Sequence, residues 1–114
     1  QLVHWDLWDG NIFVDRSNGR ITGIIDFERA LWGDPLMEFQ YRTLQPSPAF
    51  ERGYGHSLLN SPTAVTRRTL YNLYLYLIMV IECSYRAYET DDQEHWARQQ
   101  LAIDLARLET LEPR

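Results

Sequence analysis

Short apolar segments rich in β-branched and aromatic residues alternate with polar turns near the start of the chain. Two of them, 12–14 and 21–25, are separated by a polar stretch with an Asn-Gly dipeptide at 18–19, which tolerates the positive φ of a hairpin turn. The pattern predicts a β-hairpin with Asn11 at the start of its first strand and Asp26 at the end of its second. Because the strands are antiparallel, these two ends are expected to lie side by side.

Helix signals dominate the rest of the chain. A capping residue is followed by proline at three positions that mark helix starts, namely Asp34, Ser47 and Ser61. The segment 63–89 contains neither glycine nor proline and is apolar on most of its surface, which predicts a long central helix packed on several sides. A last amphipathic helix is expected from about residue 92. A small hairpin with a mainly helical remainder predicts the α+β class.

Composition narrows the functional classes. The length of 114 residues with 45% hydrophobic positions indicates one domain or a part of one, and the net charge of −5 argues against a nucleic-acid partner. The strongest apolar run, 73–81, is far shorter than the roughly 20 residues that span a bilayer, so we expect no membrane segment. The single cysteine, Cys83, cannot form an internal disulfide, which fits a cytoplasmic location.

The most specific chemical signal is a histidine, an aspartate two residues later and an asparagine five residues after that: His4, Asp6 and Asn11. A carboxylate at position 6 suits the tasks of accepting a hydroxyl proton and aiming the oxygen at phosphorus. The neutral oxygen of Asn11 and the anionic oxygen of Asp26 suit Mg²⁺, whose other positions go to phosphate oxygens and water. Singly, each residue is explained by a turn or a cap; jointly, they favour phosphoryl transfer.

The stretch 2–40 resembles the aminoglycoside phosphotransferase and choline kinase family, which shares the protein-kinase fold. The resemblance rests on the motif at 4–11, an isoleucine–aspartate–aromatic segment at 25–27 and a glycine–aspartate–proline turn at 33–35. It implies a mainly helical carboxyl-terminal lobe of a protein-kinase-like fold, in which a small β-hairpin carries the catalytic and metal-binding loops.

The resemblance also implies a role for each motif residue. Asp6 is expected to be the catalytic base or to position the acceptor hydroxyl, and Asn11 and Asp26 are expected to bind Mg²⁺. His4 is expected to orient the loop by bonding to backbone near Asp26 rather than to transfer protons. Asp34 is expected to be a helix cap that also steadies the loop.

Two features that usually hold the phosphates of a nucleotide are absent from the sequence. The chain has no lysine, since its eleven basic residues are all arginine, and its six glycines form no phosphate-binding loop. We therefore expect a catalytic and metal-binding segment at 1–40 and a helical subdomain at 41–114, with the nucleotide-binding lobe in another part of a longer enzyme. The 114 residues alone are expected to be inactive, and surface that such a lobe would cover is a candidate homodimer contact.

Departures from the family pattern bear on the acceptor. Trp8 and Asp9 replace the histidine and proline commonly found there, and Glu38 stands where an aspartate is frequent. Trp8 either lines an acceptor pocket or packs in the loop. Asp9 and Glu28 either attract a cationic acceptor or are solvated loop acids. The longer side chain of Glu38 can reach the partner of the shorter aspartate.

The favoured hypothesis is an ATP- or GTP-dependent, Mg²⁺-requiring phosphotransferase acting on a hydroxyl of a small molecule such as an aminoglycoside, an amino alcohol or a sugar. Protein acceptors are disfavoured because Asp26 is followed so soon by Asp34 that little room remains for an activation segment. Two alternatives stay open: a non-catalytic kinase-like binding module, and a helical interaction domain that dimerises.

Overall fold

The computed structural model describes residues 1–40, 47–55 and 61–111. Within these ranges the chain is mostly helical and has two small antiparallel sheets, in agreement with the predicted α+β class. It forms two compact units, Gln1–Ser61 and Pro62–Arg114. The expected division into a catalytic and metal-binding segment, 1–40, and a helical subdomain, 41–114, concerns function and stays a prediction.

The predicted hairpin is present in the first unit. Strand β2 (Ile12–Val14) pairs antiparallel with β3 (Ile21–Ile24), so that Ile12 lies opposite Ile24. The second strand ends one residue earlier than predicted. The amide of Ile25 nevertheless donates to the carbonyl oxygen of Asn11 at 3.1 Å, and this bond continues the pairing up to the residue before Asp26.

Asp15 organises the turn between the two strands. Its Oδ1 accepts hydrogen bonds from the hydroxyl of Ser17 at 2.7 Å and from the amide of Ser17 at 2.8 Å. The Asn18 Nδ2 donates to Oδ2 at 2.7 Å. These bonds, led by the Ser17 hydroxyl, lower the pKa of Asp15. Gly19 completes the reversal at φ +69°, a conformation that glycine adopts without steric penalty.

A second two-stranded sheet joins the start of the chain to the segment that follows the hairpin. Strand β1 (Leu2–Val3) pairs antiparallel with β4 (Leu31–Trp32), and the Gly33 amide donates to the carbonyl of Gln1 at 2.8 Å. Val3 is fully buried. The sheet fixes the direction in which the chain enters the loop that begins at His4.

Asp34 begins the predicted helix, but the helix is short. Its Oδ1 accepts from the amide of Leu36 at 3.0 Å, and a 3₁₀ helix, Pro35–Phe39, follows. The 3₁₀ repeat of three residues puts Leu36 and Phe39 on the same side, and both are buried. The predicted end near Tyr41 lies outside the described residues.

Helix α1 (Pro48–Tyr54) starts at the predicted cap. The hydroxyl of Ser47 accepts from the amide of Phe50 at 3.3 Å. The rings of Phe50 and Tyr54 are stacked with centroids 5.3 Å apart, and Phe39 meets both edge to face. This aromatic cluster attaches α1 to the 3₁₀ helix that carries Phe39.

The second unit consists of two helices, α2 (Ala64–Arg86) and α3 (Asp92–Thr110). The start of α3 agrees with the prediction, whereas α2 is preceded by Thr63, two residues after the predicted cap at Ser61. In the helices that the structure describes, no stretch has the length and apolar character needed to cross a membrane.

The two helices pack antiparallel, because Tyr76 meets Trp96 edge to face at 5.7 Å while Asn72 donates to Asp104 at 3.1 Å. Burial, together with the nearby charge of Asp104, raises the pKa of Tyr76 to about 12. The prediction that α2 is covered on several sides differs from the structure. Four apolar side chains on the other side of α2 remain 48 to 56% exposed: Leu70, Tyr74, Leu77 and Ile81.

Candidate active site

The loop from Asp6 to Asn11 folds back on itself. The amide of Trp8 donates to the carbonyl of Asp6 at 3.0 Å, and the amide of Asn11 donates to the carbonyl of Trp8 at 3.0 Å. The side chain of Asn11 is buried, and its Nδ2 donates to the Asp6 carbonyl at 2.9 Å and approaches the Asp6 Oδ2 at 3.4 Å. The expected catalytic carboxylate and the first expected metal ligand are therefore in contact.

His4 connects this loop to the segment before Asp26. Its Nδ1 accepts from the amide of Asp6 at 3.2 Å, so the neutral ring carries its proton on Nε2. Nε2 then donates to the carbonyl of Ile25 at 2.8 Å. The ring is buried and lies edge to face with Phe27 at 4.5 Å. Both ring nitrogens are engaged with backbone, which leaves neither of them to exchange a proton with a bound molecule.

Asp26 adopts a left-handed backbone conformation, with φ 65° and ψ 60°. Such angles are uncommon for residues other than glycine and are found disproportionately at functional sites. The side chain is exposed, and within residues 1–40, 47–55 and 61–111 no group donates a hydrogen bond to its carboxylate. Asp26 thus presents an uncommitted carboxylate directly after the residue that pairs with Asn11.

The donor set can be compared with the demands of a cation. Among the described residues, no cluster of three or more histidine, cysteine, aspartate or glutamate side chains is arranged to hold a metal. A set of one amide oxygen and one carboxylate, Asn11 and Asp26, fits Mg²⁺ when phosphate oxygens and water complete the octahedron. The Asn11 bonds to Asp6 use Nδ2, so its Oδ1 is not occupied by them.

Glu38 fastens the loop from the other side. Its buried carboxylate accepts the amide of His4 at 2.8 Å through Oε2 and the amide of Trp5 at 3.0 Å through Oε1. Trp5 has φ +60°, and its indole Nε1 donates to the Oε1 of Gln40 at 2.8 Å. The Asp34 cap begins the 3₁₀ helix on which Glu38 stands, so Asp34 supports the loop through that helix.

Arg29 is the cation beside the expected base. Its Nη1 lies 4.0 Å from the Oδ1 of Asp6, and both side chains are only 13% exposed. The sequence prediction does not include Arg29, and it treats Glu38 only as a longer replacement for a family aspartate. Arg29 stands three residues after Asp26 at the end of a short 3₁₀ helix (Phe27–Arg29), and this placement in the fold, which no sequence signal marks, brings it to Asp6.

Trp8, Asp9 and Glu28 are each exposed to solvent. The benzene ring of the Trp8 indole covers Gly10 so closely that a Cβ at position 10 would collide with it. Trp8 therefore packs on its own loop while remaining about half exposed, and its place in an acceptor pocket stays a prediction. Asp9 opens the 3₁₀ helix Asp9–Asn11, and Glu28 lies in the 3₁₀ helix that ends at Arg29.

Comparison with known proteins identifies the family. A model of the phosphotransferase enzyme family, APH, matches residues 1–71, which include both motif segments and the beginning of α2. No curated protein and no solved structure matches the chain. The match spans well over half of the 114 residues. The chain therefore belongs to the phosphotransferase enzyme family, whose members transfer phosphoryl groups.

Proposed function

We propose that the chain carries the catalytic and metal-binding half of a kinase that transfers the γ-phosphoryl group of ATP or GTP to a hydroxyl of a small molecule. The observation that carries the proposal is the contact between Asp6 and Asn11, together with the His4 bridge from the Asp6 amide to the Ile25 carbonyl. These bonds join the two motif segments into one structure. The carboxyl-terminal lobe of a protein-kinase-like fold is the architecture that such an arrangement suggests.

In this proposal Asp6 accepts the proton of the acceptor hydroxyl and directs its oxygen toward phosphorus. Asn11 and Asp26 hold Mg²⁺, which when bound with the nucleotide neutralises charge on the phosphate oxygens. His4 has no part in proton transfer, because its Nδ1 and Nε2 are both bonded to backbone. It keeps the Asp6 loop at a fixed distance from the Asp26 segment.

The short segment between Asp26 and Asp34 favours a small-molecule acceptor. The residues after Asp26 form the 3₁₀ helix Phe27–Arg29, and strand β4 and the Asp34 cap follow directly. This segment contains no long loop of the kind that protein kinases use to bind peptides. Trp8, with Asp9 and Glu28, supplies an aromatic surface and negative charge suited to an amino sugar or an amino alcohol.

The proposal is tested by measuring transfer from γ-³²P-labelled ATP and GTP to a panel of amino sugars, amino alcohols and neutral sugars. A complete protein that contains this chain is expected to label at least one acceptor in the presence of Mg²⁺. The isolated 114 residues are expected to label none, because they contain neither a lysine nor a glycine-rich loop for the phosphates.

Two other results would be informative. Nucleotide binding by the complete protein without transfer to any acceptor would contradict the proposal and favour a non-catalytic binding module. Transfer by the isolated chain would contradict the expected need for a further nucleotide-binding part.

The metal role of Asp26 gives a separate prediction. Asp26→Asn is expected to raise the Mg²⁺ concentration needed for half-maximal rate and to lower kcat by roughly 10²-fold, since it removes the anionic ligand that anchors the cation. Asparagine tolerates the left-handed backbone of position 26, so the fold is expected to be kept. The measurement is initial rate against Mg²⁺ concentration at fixed nucleotide.

The matched control is Asp92→Asn, which removes an exposed carboxylate from the first turn of α3. It is expected to leave the Mg²⁺ dependence unchanged. An unaltered Mg²⁺ curve in Asp26→Asn would rule out the metal role of Asp26.

A further inference from the structure

Arg29 and Asp6 form an ion pair that the catalytic roles described above do not use. The 4.0 Å between Nη1 and Oδ1 is too long for a hydrogen bond but short enough for a direct charge interaction. Both side chains are largely removed from solvent, so water and salt screen the interaction less than at an open surface.

The geometry points to Arg29 as a positioning residue for Asp6, and this inference rests on the proposed function. The guanidinium attracts the carboxylate by charge without occupying its oxygens with hydrogen bonds. A tight bidentate pair would tie up both oxygens and compete with the incoming hydroxyl proton. At 4.0 Å, Oδ1 stays available as an acceptor, while Oδ2 has only the 3.4 Å approach of the Asn11 amide.

The backbone around Arg29 supports this role. Arg29 ends the 3₁₀ helix Phe27–Arg29, which the Ala30 amide closes by donating to the carbonyl of Phe27 at 3.0 Å. The residue two positions before that helix, Ile25, is bonded to His4, and His4 is bonded to the amide of Asp6. The same bonds that join the two segments therefore hold the backbone that carries Arg29 close to the backbone of Asp6.

The residue type also agrees with the role. Arginine keeps its charge at every pH that proteins tolerate, and its planar group is less strongly hydrated than an ammonium, which suits a partly buried cation. Each of the two side chains is only 13% exposed, so solvent screens their charge interaction only partly. Arg29 thus keeps Asp6 aligned between turnovers, when no acceptor is bound to do so.

A double-mutant cycle in the complete enzyme tests the inference. Arg29→Gln is expected to lower kcat by about 10- to 100-fold with KM for the nucleotide changed less than about threefold. In an Asp6→Asn background the same substitution is expected to change the residual kcat by less than about twofold, because a residue that acts through Asp6 has nothing left to act on. Arg29→Lys, which keeps the charge, is expected to retain most of the activity.

The control is Arg98→Gln, which breaks a 2.7 Å pair with Glu94 on the exposed side of α3 and is expected to leave kcat unchanged. Equal losses from Arg29→Gln in the wild-type and Asp6→Asn backgrounds would overturn the inference, as would equal losses in the lysine and glutamine variants. If Arg29→Gln does not fold, Arg29→Met replaces it in the cycle, and failure of both to fold would overturn the inference in favour of a purely structural role.

The outcomes separate this inference from the proposed function. Transfer by the wild-type enzyme with independent effects of Arg29 and Asp6 would refute the positioning role alone. Absence of transfer by the wild-type enzyme to every acceptor would refute the proposed function, and the positioning role with it.

Discussion

Asp6→Asn in the complete enzyme is expected to lower kcat by about 10²- to 10⁴-fold, the range typical of a lost general base. The KM for the nucleotide is expected to stay within about threefold, because in the proposed mechanism Asp6 acts on the acceptor hydroxyl and not on the nucleotide. Asparagine has nearly the same shape as aspartate, and Asn11 can continue to donate to the carbonyl of residue 6 at the same place. Steady-state rates at saturating Mg²⁺ are the measurement.

The Mg²⁺ dependence distinguishes Asp6 from Asp26. Asp6→Asn is expected to keep the wild-type Mg²⁺ requirement at its reduced rate, whereas Asp26→Asn shifts it. A kcat within a fewfold of the wild type in Asp6→Asn would remove the catalytic role. Asp92→Asn again provides the exposed-carboxylate control.

Glu38→Ala is expected to have the largest effect on stability. The Glu38 side chain is only 5% exposed and accepts the amides of His4 and Trp5, which lie in a buried segment. Its removal leaves two buried N–H groups without acceptors and is expected to lower the free energy of unfolding by about 3 kcal/mol or more. Urea unfolding of the complete protein measures the change, and hydrogen exchange at the two amides reports it locally.

Two further variants serve as an intermediate case and as a control. Glu38→Gln keeps the size of the side chain, but its amide nitrogen would face a backbone N–H, so only one of the two bonds can be kept. The free energy of unfolding of Glu38→Gln is expected to lie between those of the wild type and Glu38→Ala. Glu109→Gln, at an exposed position of α3, is expected to change the stability by less than about 0.5 kcal/mol. Unchanged protection of the His4 and Trp5 amides in Glu38→Ala would contradict the role of Glu38 in fastening the loop.

The elements that the sequence predicts well are those with local causes. The hairpin follows from two apolar segments and an Asn-Gly turn, and Gly19 indeed adopts the positive φ. The caps at Asp34 and Ser47 follow from a side-chain oxygen within reach of an amide two or three residues ahead. Each of these features is decided by residues close together in the chain.

The elements that the sequence does not predict depend on distant residues. Strand β4 has only two residues, too few to show any periodicity. The bonds of Glu38 to His4 and Trp5 join positions more than thirty residues apart. The predicted helix after Asp34 is a short 3₁₀ helix instead, and that form puts Leu36 and Phe39 in the core while Glu38 reaches the loop.

The candidate site likewise contains residues that the sequence predicts and contacts that it does not. The motif spacing selected Asp6, Asn11 and Asp26 because each residue type suits one task in phosphoryl transfer. The ion pair of Asp6 with Arg29 could not be derived from spacing, because it depends on how a three-residue helix turns after a left-handed residue. Composition likewise gave no indication that the Trp8 indole would cover Gly10.

The backbone of Asp26 carries a further implication for how this protein can change. A residue with a Cβ is disfavoured in the left-handed region by about 1 kcal/mol or more, a penalty that glycine avoids. Selection for robustness alone would therefore drive position 26 toward glycine. Under the proposed metal role, that drift would abolish the chemistry, so at this one position thermostability and turnover are opposing goals for evolution and for protein engineering.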